Sequence, residues 1–161
     1  MTIVKSLVVY YSRTGNAKFV AETVAAELGA DIEEIVDKKN RAGKLGWVSA
    51  GRDGMQGRET PIEPTKLVPS DYDLVVVGTP VWAWSPCSAI RTWMGKNDLA
   101  GKKLALFFTM DSNLKQAVEK TKALAPNAVF VGELAVAEAL KGKGATSKKV
   151  AEWCGKLKST G

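Results

Sequence analysis

Three apolar runs constrain this chain more than any other feature: Ile3 to Tyr11 (IVKSLVVYY), Tyr72 to Pro80 (YDLVVVGTP) and Lys103 to Met110 (KLALFFTM). Their centres are continuous blocks of Val, Leu and Phe rather than an alternation of apolar and polar positions, so each reads as a strand buried on both faces. Such strands belong to parallel sheets covered by helices on both sides. Ile32 to Val36 and about Ala128 to Val136 supply two more. The segments between them carry helical periodicity. Ala17, Val20, Ala21, Val24 and Leu28 form one stripe, stopped by Gly29. Pro86 is expected to open a helix with Cys87, Ile90, Trp93 and Met94 on its inner face, and further helices carry Leu114, Ala117, Val118 and Thr121, then Val150, Trp153, Cys154 and Leu157. Alternating strands and helices predict an α/β fold, a three-layer α/β/α sandwich around a five-stranded parallel sheet.

With 161 residues, 45% of them hydrophobic, the chain is expected to form a single domain over 1–161. It has no run of about 20 apolar residues, and MTIVKSLVVYYS reads as a strand with a lysine in it rather than a signal peptide. The expectation is a cytoplasmic protein that does not enter a membrane. There is no histidine, and Cys87 and Cys154 lie far apart. That excludes a zinc site of the usual kind and any mechanism needing an imidazole base, and two reduced thiols are expected. No metal ligand and no catalytic side chain is therefore assigned, and the chemistry is expected to reside in something bound.

The net charge of +6 raises nucleic acid as a partner, but its distribution argues otherwise. From Lys141 to Gly161 six lysines face Glu152 alone, which puts five of the six net charges at one end. They flank an amphipathic helix, which reads as a solvated face rather than a nucleic-acid groove. An acidic protein partner at this Lys-rich end is the other reading.

Ligands of open parallel sheets sit beyond the carboxyl ends of the strands, which singles out the loops Ser12–Ala17, Thr79–Pro86 and Thr109–Asn113. In the first, Ser12, Thr14 and Asn16 offer side-chain donors, Gly15 allows close approach, and the free N–H groups of the following helix point the same way. This is an anion cradle, or else a plain N-cap by Thr14 or Asn16. The second loop, GTPVWAWSPCSAI, places Trp82 and Trp84 beyond a buried strand. In an extended segment both point to one side, where they border a flat ligand or pack on neighbouring helices. In the third, Asp111 and Ser112 serve equally well as a helix cap.

YYSRTGNA resembles the phosphate loop of the flavodoxin family, and GTPVWAW resembles a signature in one branch of small flavodoxin-like proteins. The resemblance covers nearly the whole chain and looks like the short-chain variety. It implies strand order 2-1-3-4-5, for which flavodoxin is the standard example, and FMN as cofactor. Ser12, Thr14, Gly15 and Asn16 would hold its phosphate, with the Arg13 and Ala17 backbones adding N–H groups. Thr79, Pro80, Val81, Trp82, Ala83 and Trp84 would contact the ring, and Asp111 and Ser112 would lie near it. Ala17 stands where the family pattern ends in Thr; a lost hydroxyl contact to a charged group costs roughly 1.5–3 kcal/mol unless Arg13 or Lys18 compensates.

Asn40 to Pro61 carries Gly43, Gly46, Gly51, Gly54 and Gly57, too Gly-rich to read as helix and too long for a simple connection. It is taken as a lid or subunit contact beside the flavin, or a surface excursion. The resemblance implies electron transfer to a redox partner protein or a small-molecule acceptor; the alternative is an FMN-dependent NAD(P)H:acceptor oxidoreductase of quinone type. A phosphorelay receiver needs clustered aspartates after the first strand, and YYSRTG has none.

Overall fold

The computed structural model describes residues 4–110, 114 and 116–160. In chain order its elements are β1 (Ser6–Tyr10), α1 (Asn16–Leu28), β2 (Asp31–Glu34), α2 (Gly43–Met55), β3 (Leu74–Trp82), β4 (Ser85–Pro86), α3 (Ser88–Lys96), β5 (Lys103–Met110), α4 (Ala117–Lys122), β6 (Val129–Ala137) and α5 (Lys143–Thr160). Five strands run parallel in the order β2-β1-β3-β5-β6, the expected 2-1-3-4-5 arrangement, and β4 pairs antiparallel with the end of β3.

The continuous apolar runs become the middle of the sandwich. Leu7, Val9, Val75, Val77, Leu106 and Phe108 face α2, α3 and α4, packing on Ala50, Ile90, Trp93 and Ala117. The intervening Val8, Tyr10, Val76, Ala105 and Phe107 face α1 and α5, packing on Val20, Val24, Val150 and Trp153. Burying a Val, Leu or Phe in this way stabilises by about 1.5–3 kcal/mol each, so both faces of β1, β3 and β5 hold the layers together. Only β2, at the edge, keeps mostly exposed side chains.

Helix α1 ends where Gly29 adopts the left-handed conformation (φ 61°) and donates its N–H to Ala25 O. The inner face expected after Pro86 is observed, with Cys87, Ile90, Trp93 and Met94 all buried. Pro86 itself does not open that helix. It lies in β4, and Cys87 takes the N-cap position. The cause is a two-residue hairpin: Val81 pairs with Pro86 and Trp82 with Ser85, while Ala83 and Trp84 both take positive φ (50° and 62°), as a type I′ turn requires.

The glycine-rich segment also departs from expectation, because residues 43–55 are helical. Gly46, Ala50, Asp53 and Gly54 are its buried face, spaced for a helix. A Cβ at Gly46 would collide with the Arg41 carbonyl, and one at Gly54 with the Trp82 backbone and Cβ. These glycines let α2 lie against its neighbours, and that packing outweighs their poor helix propensity. Among the described residues, no helix is long and apolar enough to cross a membrane.

Candidate functional site

At the carboxyl ends of β1, β3 and β5 lies a cavity of about 450 Å³, within the range of roughly 300–1,000 Å³ usual for cofactor sites. Three segments meet there: Arg13, Thr14 and Asn16 after β1, Pro80 to Trp84 at the end of β3 and its turn, and Thr109 with Met110 at the end of β5. One wall is α2, through Trp47, Ala50, Gly51 and Met55. The sequence-expected loops thus converge, and the Asn40–Pro61 segment, expected as a lid, a subunit contact or a surface excursion, supplies a helical wall that sequence reasoning did not see as helix. Its signal was present as Trp47, Gly51 and Met55 at four-residue intervals.

The first loop is built as a cradle. Gly15 is the N-cap of α1 at φ 99°, and no side chain caps the helix. The first intrahelical bond runs from Phe19 N–H to Gly15 O, so the N–H groups of Asn16, Ala17 and Lys18 come before it and open toward the loop. Ser12 Oγ accepts the Gly15 N–H at 3.1 Å and shapes the turn from within. Asn16 spans two partners: its Nδ2 donates to Thr14 Oγ1 at 3.1 Å, and its Oδ1 accepts the Leu140 N–H at 3.0 Å.

Arg13 is directed elsewhere. Its Nε donates to Arg41 O at 2.8 Å and its Nη2 to Gly43 O at 2.9 Å, so the guanidinium ties the β1–α1 loop to the start of α2. That leaves Lys18, exposed on the first turn of α1, as the cation able to compensate for Ala17.

The two tryptophans expected on one side are separated by the turn. Trp82 is 7% exposed; its ring packs edge-on against Tyr11 with centroids 5.5 Å apart. Trp84 stands at the cavity mouth, 42% exposed. Trp47 of α2, 66% exposed, also lines the cavity. Thr79 is fully buried behind the site, where its hydroxyl accepts the Cys87 N–H at 2.9 Å and braces the start of α3. Asp111 and Ser112 lie outside the described residues.

Beneath the cavity floor sits an ion-pair cluster with no counterpart in the sequence reading. Arg41 Nη1 donates to Asp53 Oδ2 at 2.6 Å and its Nε to Asp37 Oδ2 at 3.0 Å, while Lys39 Nζ reaches Asp53 Oδ2 at 3.2 Å. The same guanidinium lies 5.0 Å from the Trp82 ring centroid. Burial alone would push the Asp53 carboxyl up, but the Arg41 and Lys39 hydrogen bonds hold it below its ordinary value. Burial would likewise pull Arg41 down, and Asp53 and Asp37 hold it up. Tyr11 is pushed well above the usual phenol range, chiefly by burial, and stays neutral.

The sequence profile of the flavodoxin family matches residues 5–157. The chain belongs to the flavodoxin family. Solved structures share the fold of this flavodoxin. A flavoprotein from Lactobacillus acidophilus in complex with FMN is 23% identical with TM-score 0.75, covering 93% of this chain and 98% of that one. A candidate flavoprotein from Bacteroides uniformis is 24% identical with TM-score 0.79, covering 94% and 98%. The oxidised flavodoxin 2 of Bacillus cereus is 18% identical with TM-score 0.61, covering 98% and 99%. No protein of curated function matches by sequence.

Proposed function

We propose that this flavodoxin binds FMN in the cavity at the carboxyl edge of its sheet and serves in electron transfer. The carrying observation is the cavity lined by Trp47 and Trp84, with the uncapped N-terminus of α1 at its edge. A phosphate needs clustered N–H donors and positive helix-end potential, and a tricyclic ring needs flat apolar borders. The residues present fit both needs. The Asn16, Ala17 and Lys18 N–H groups with the Thr14 hydroxyl would hold the phosphate. Pro80 to Trp84 and the α2 wall would border the ring. Bound FMN supplies one- and two-electron redox chemistry.

The chain's own residues position and shield. Arg13 fixes the distance between the phosphate loop and α2, Tyr11 and Trp82 back the floor with a rigid pair, and Gly51 keeps the α2 wall flat where a side chain would intrude. We also place the protein in the cytoplasm, a reading supported by its two free, buried thiols. Its electrons would pass to a redox protein or a small acceptor.

The anaerobic visible spectrum of FMN-loaded protein, before and after NADPH or NADH, tests the transfer role. Persistence of the flavin band with either nucleotide, and its loss with dithionite, is expected. Rapid bleaching by a nucleotide would establish the NAD(P)H:acceptor oxidoreductase reading instead.

A further inference from the structure

Helix α2 buries one face and walls the cavity with a second, yet its outer side is not polar. Leu45 is 86% exposed and Val48 56%, both outside the cavity lining, and Trp47 (66%) and Met55 (67%) carry the apolar surface on to the cavity wall; of the eleven large hydrophobic side chains exposed among the described residues, these four sit on one helix, and Trp84 also lines the cavity. The exposed charge around them is predominantly positive. From residue 38 to 59 the exposed ionic side chains are Lys38, Lys39, Lys44, Arg52 and Arg58 against Glu59, and the other carboxylate in that stretch, Asp53, is buried, where it pairs with Arg41, Lys39 and Arg52.

An apolar centre ringed by cations identifies its occupant by complementarity. A second copy of this chain, meeting the patch through the same face, would set cation against cation. An anionic membrane calls for a helix whose basic and apolar residues occupy separate faces; here Arg52 interrupts the outer stripe between Val48 and Met55. Trp, Met and Arg mixed in one patch is the composition of protein interfaces. We infer that the exposed face of α2, with the Trp84 turn, docks an acidic protein partner whose surface presents carboxylates around an apolar centre. This rests on the redox reading above, because docking there would bring the partner to the cavity mouth, whereas the lysines of α5 lie on the helix that packs with α1 on the opposite face of the sheet.

The test uses an acidic [2Fe–2S] ferredoxin as probe and basic cytochrome c as its counterpart. Binding is followed by amide NMR shifts on the protein without flavin and again after FMN is added, so loss of FMN binding alone leaves the docking result intact. The expected result is ferredoxin binding that weakens steeply with salt, with shifts over residues 43–58 and 83–84. K44E/R58E should weaken it at least tenfold while FMN affinity and thermal midpoint are retained, and K148E/K149E should change it less than twofold. Shifts confined to α5 overturn the inference. So does loss only in the α5 variant, equal binding of cytochrome c, or binding to phosphatidylglycerol vesicles through Trp47 with no binding to ferredoxin.

Discussion

Asp53 concentrates the residue-scale consequences. Its carboxylate is the shared acceptor of Arg41 and Lys39, and Arg41 also stands over the Trp82 ring. Asp53→Asn leaves Asp37 as the only carboxylate bonded to the buried Arg41 guanidinium, so it should cost about 3 kcal/mol at pH 7, read from urea unfolding. Because the folded carboxyl titrates below its ordinary 3.8, its contribution is present above that pH and is lost as pH falls through the lower folded value. The variant should therefore lose less of its remaining stability on acidification than the parent. A loss under about 0.5 kcal/mol at pH 7 would remove the cluster from the account. Nothing local in the sequence announced this cluster: Asp37 and Arg41 are four apart, but Asp53 reaches them only because α2 folds back. Arg13 was similarly opaque, since a cation in a phosphate loop reads as a phosphate ligand until its carbonyl partners are seen.

At the scale of elements, the strands and most helices were legible because burial on two faces and a 3.6-residue period leave direct marks. Lys103–Met110 is a strand at the boundaries expected, and the Val150 to Leu157 stripe is the buried face of α5. Helix α2 was not legible: its glycines read as breakers, whereas Gly46 and Gly54 are contact points for the Arg41 and Trp82 backbones. The extended path expected through Trp82 and Trp84 failed for a related reason, since a type I′ turn at Ala83–Trp84 uses no glycine or asparagine to advertise itself. This view of α2 separates two substitutions of the same chemistry. Gly54→Ala should destabilise the protein by at least about 2 kcal/mol because its Cβ has no room. Gly51→Ala, where a Cβ meets nothing within 4 Å, should stabilise the flavin-free protein by roughly 0.5–1 kcal/mol through helix propensity. Equal effects in a denaturant melt would contradict the packing described.

For the whole molecule, the double-sided core sets the alkaline limit. Burial pushes Cys87 up to about 12 from 9.0, Cys154 up to about 11, and Tyr10 up to about 12 from 10.0. The folded state then keeps protons that the unfolded chain releases, so stability is intact below about pH 9 and falls as pH rises from there toward 12. A urea midpoint unchanged between pH 8 and 10.5 would show that these groups are not buried as described. The same architecture delivers three strand ends, one uncapped helix and three tryptophans to a single cavity, and FMN binding there is the central claim. Its most direct test is a fluorescence titration with FMN beside riboflavin, which has the ring and no phosphate. One FMN per chain should be quenched with at least about tenfold tighter affinity than riboflavin, because charge-assisted bonds to the α1 cradle contribute roughly 1.5–3 kcal/mol each. No quenching by FMN, or equal affinity for the two ligands, would contradict the account.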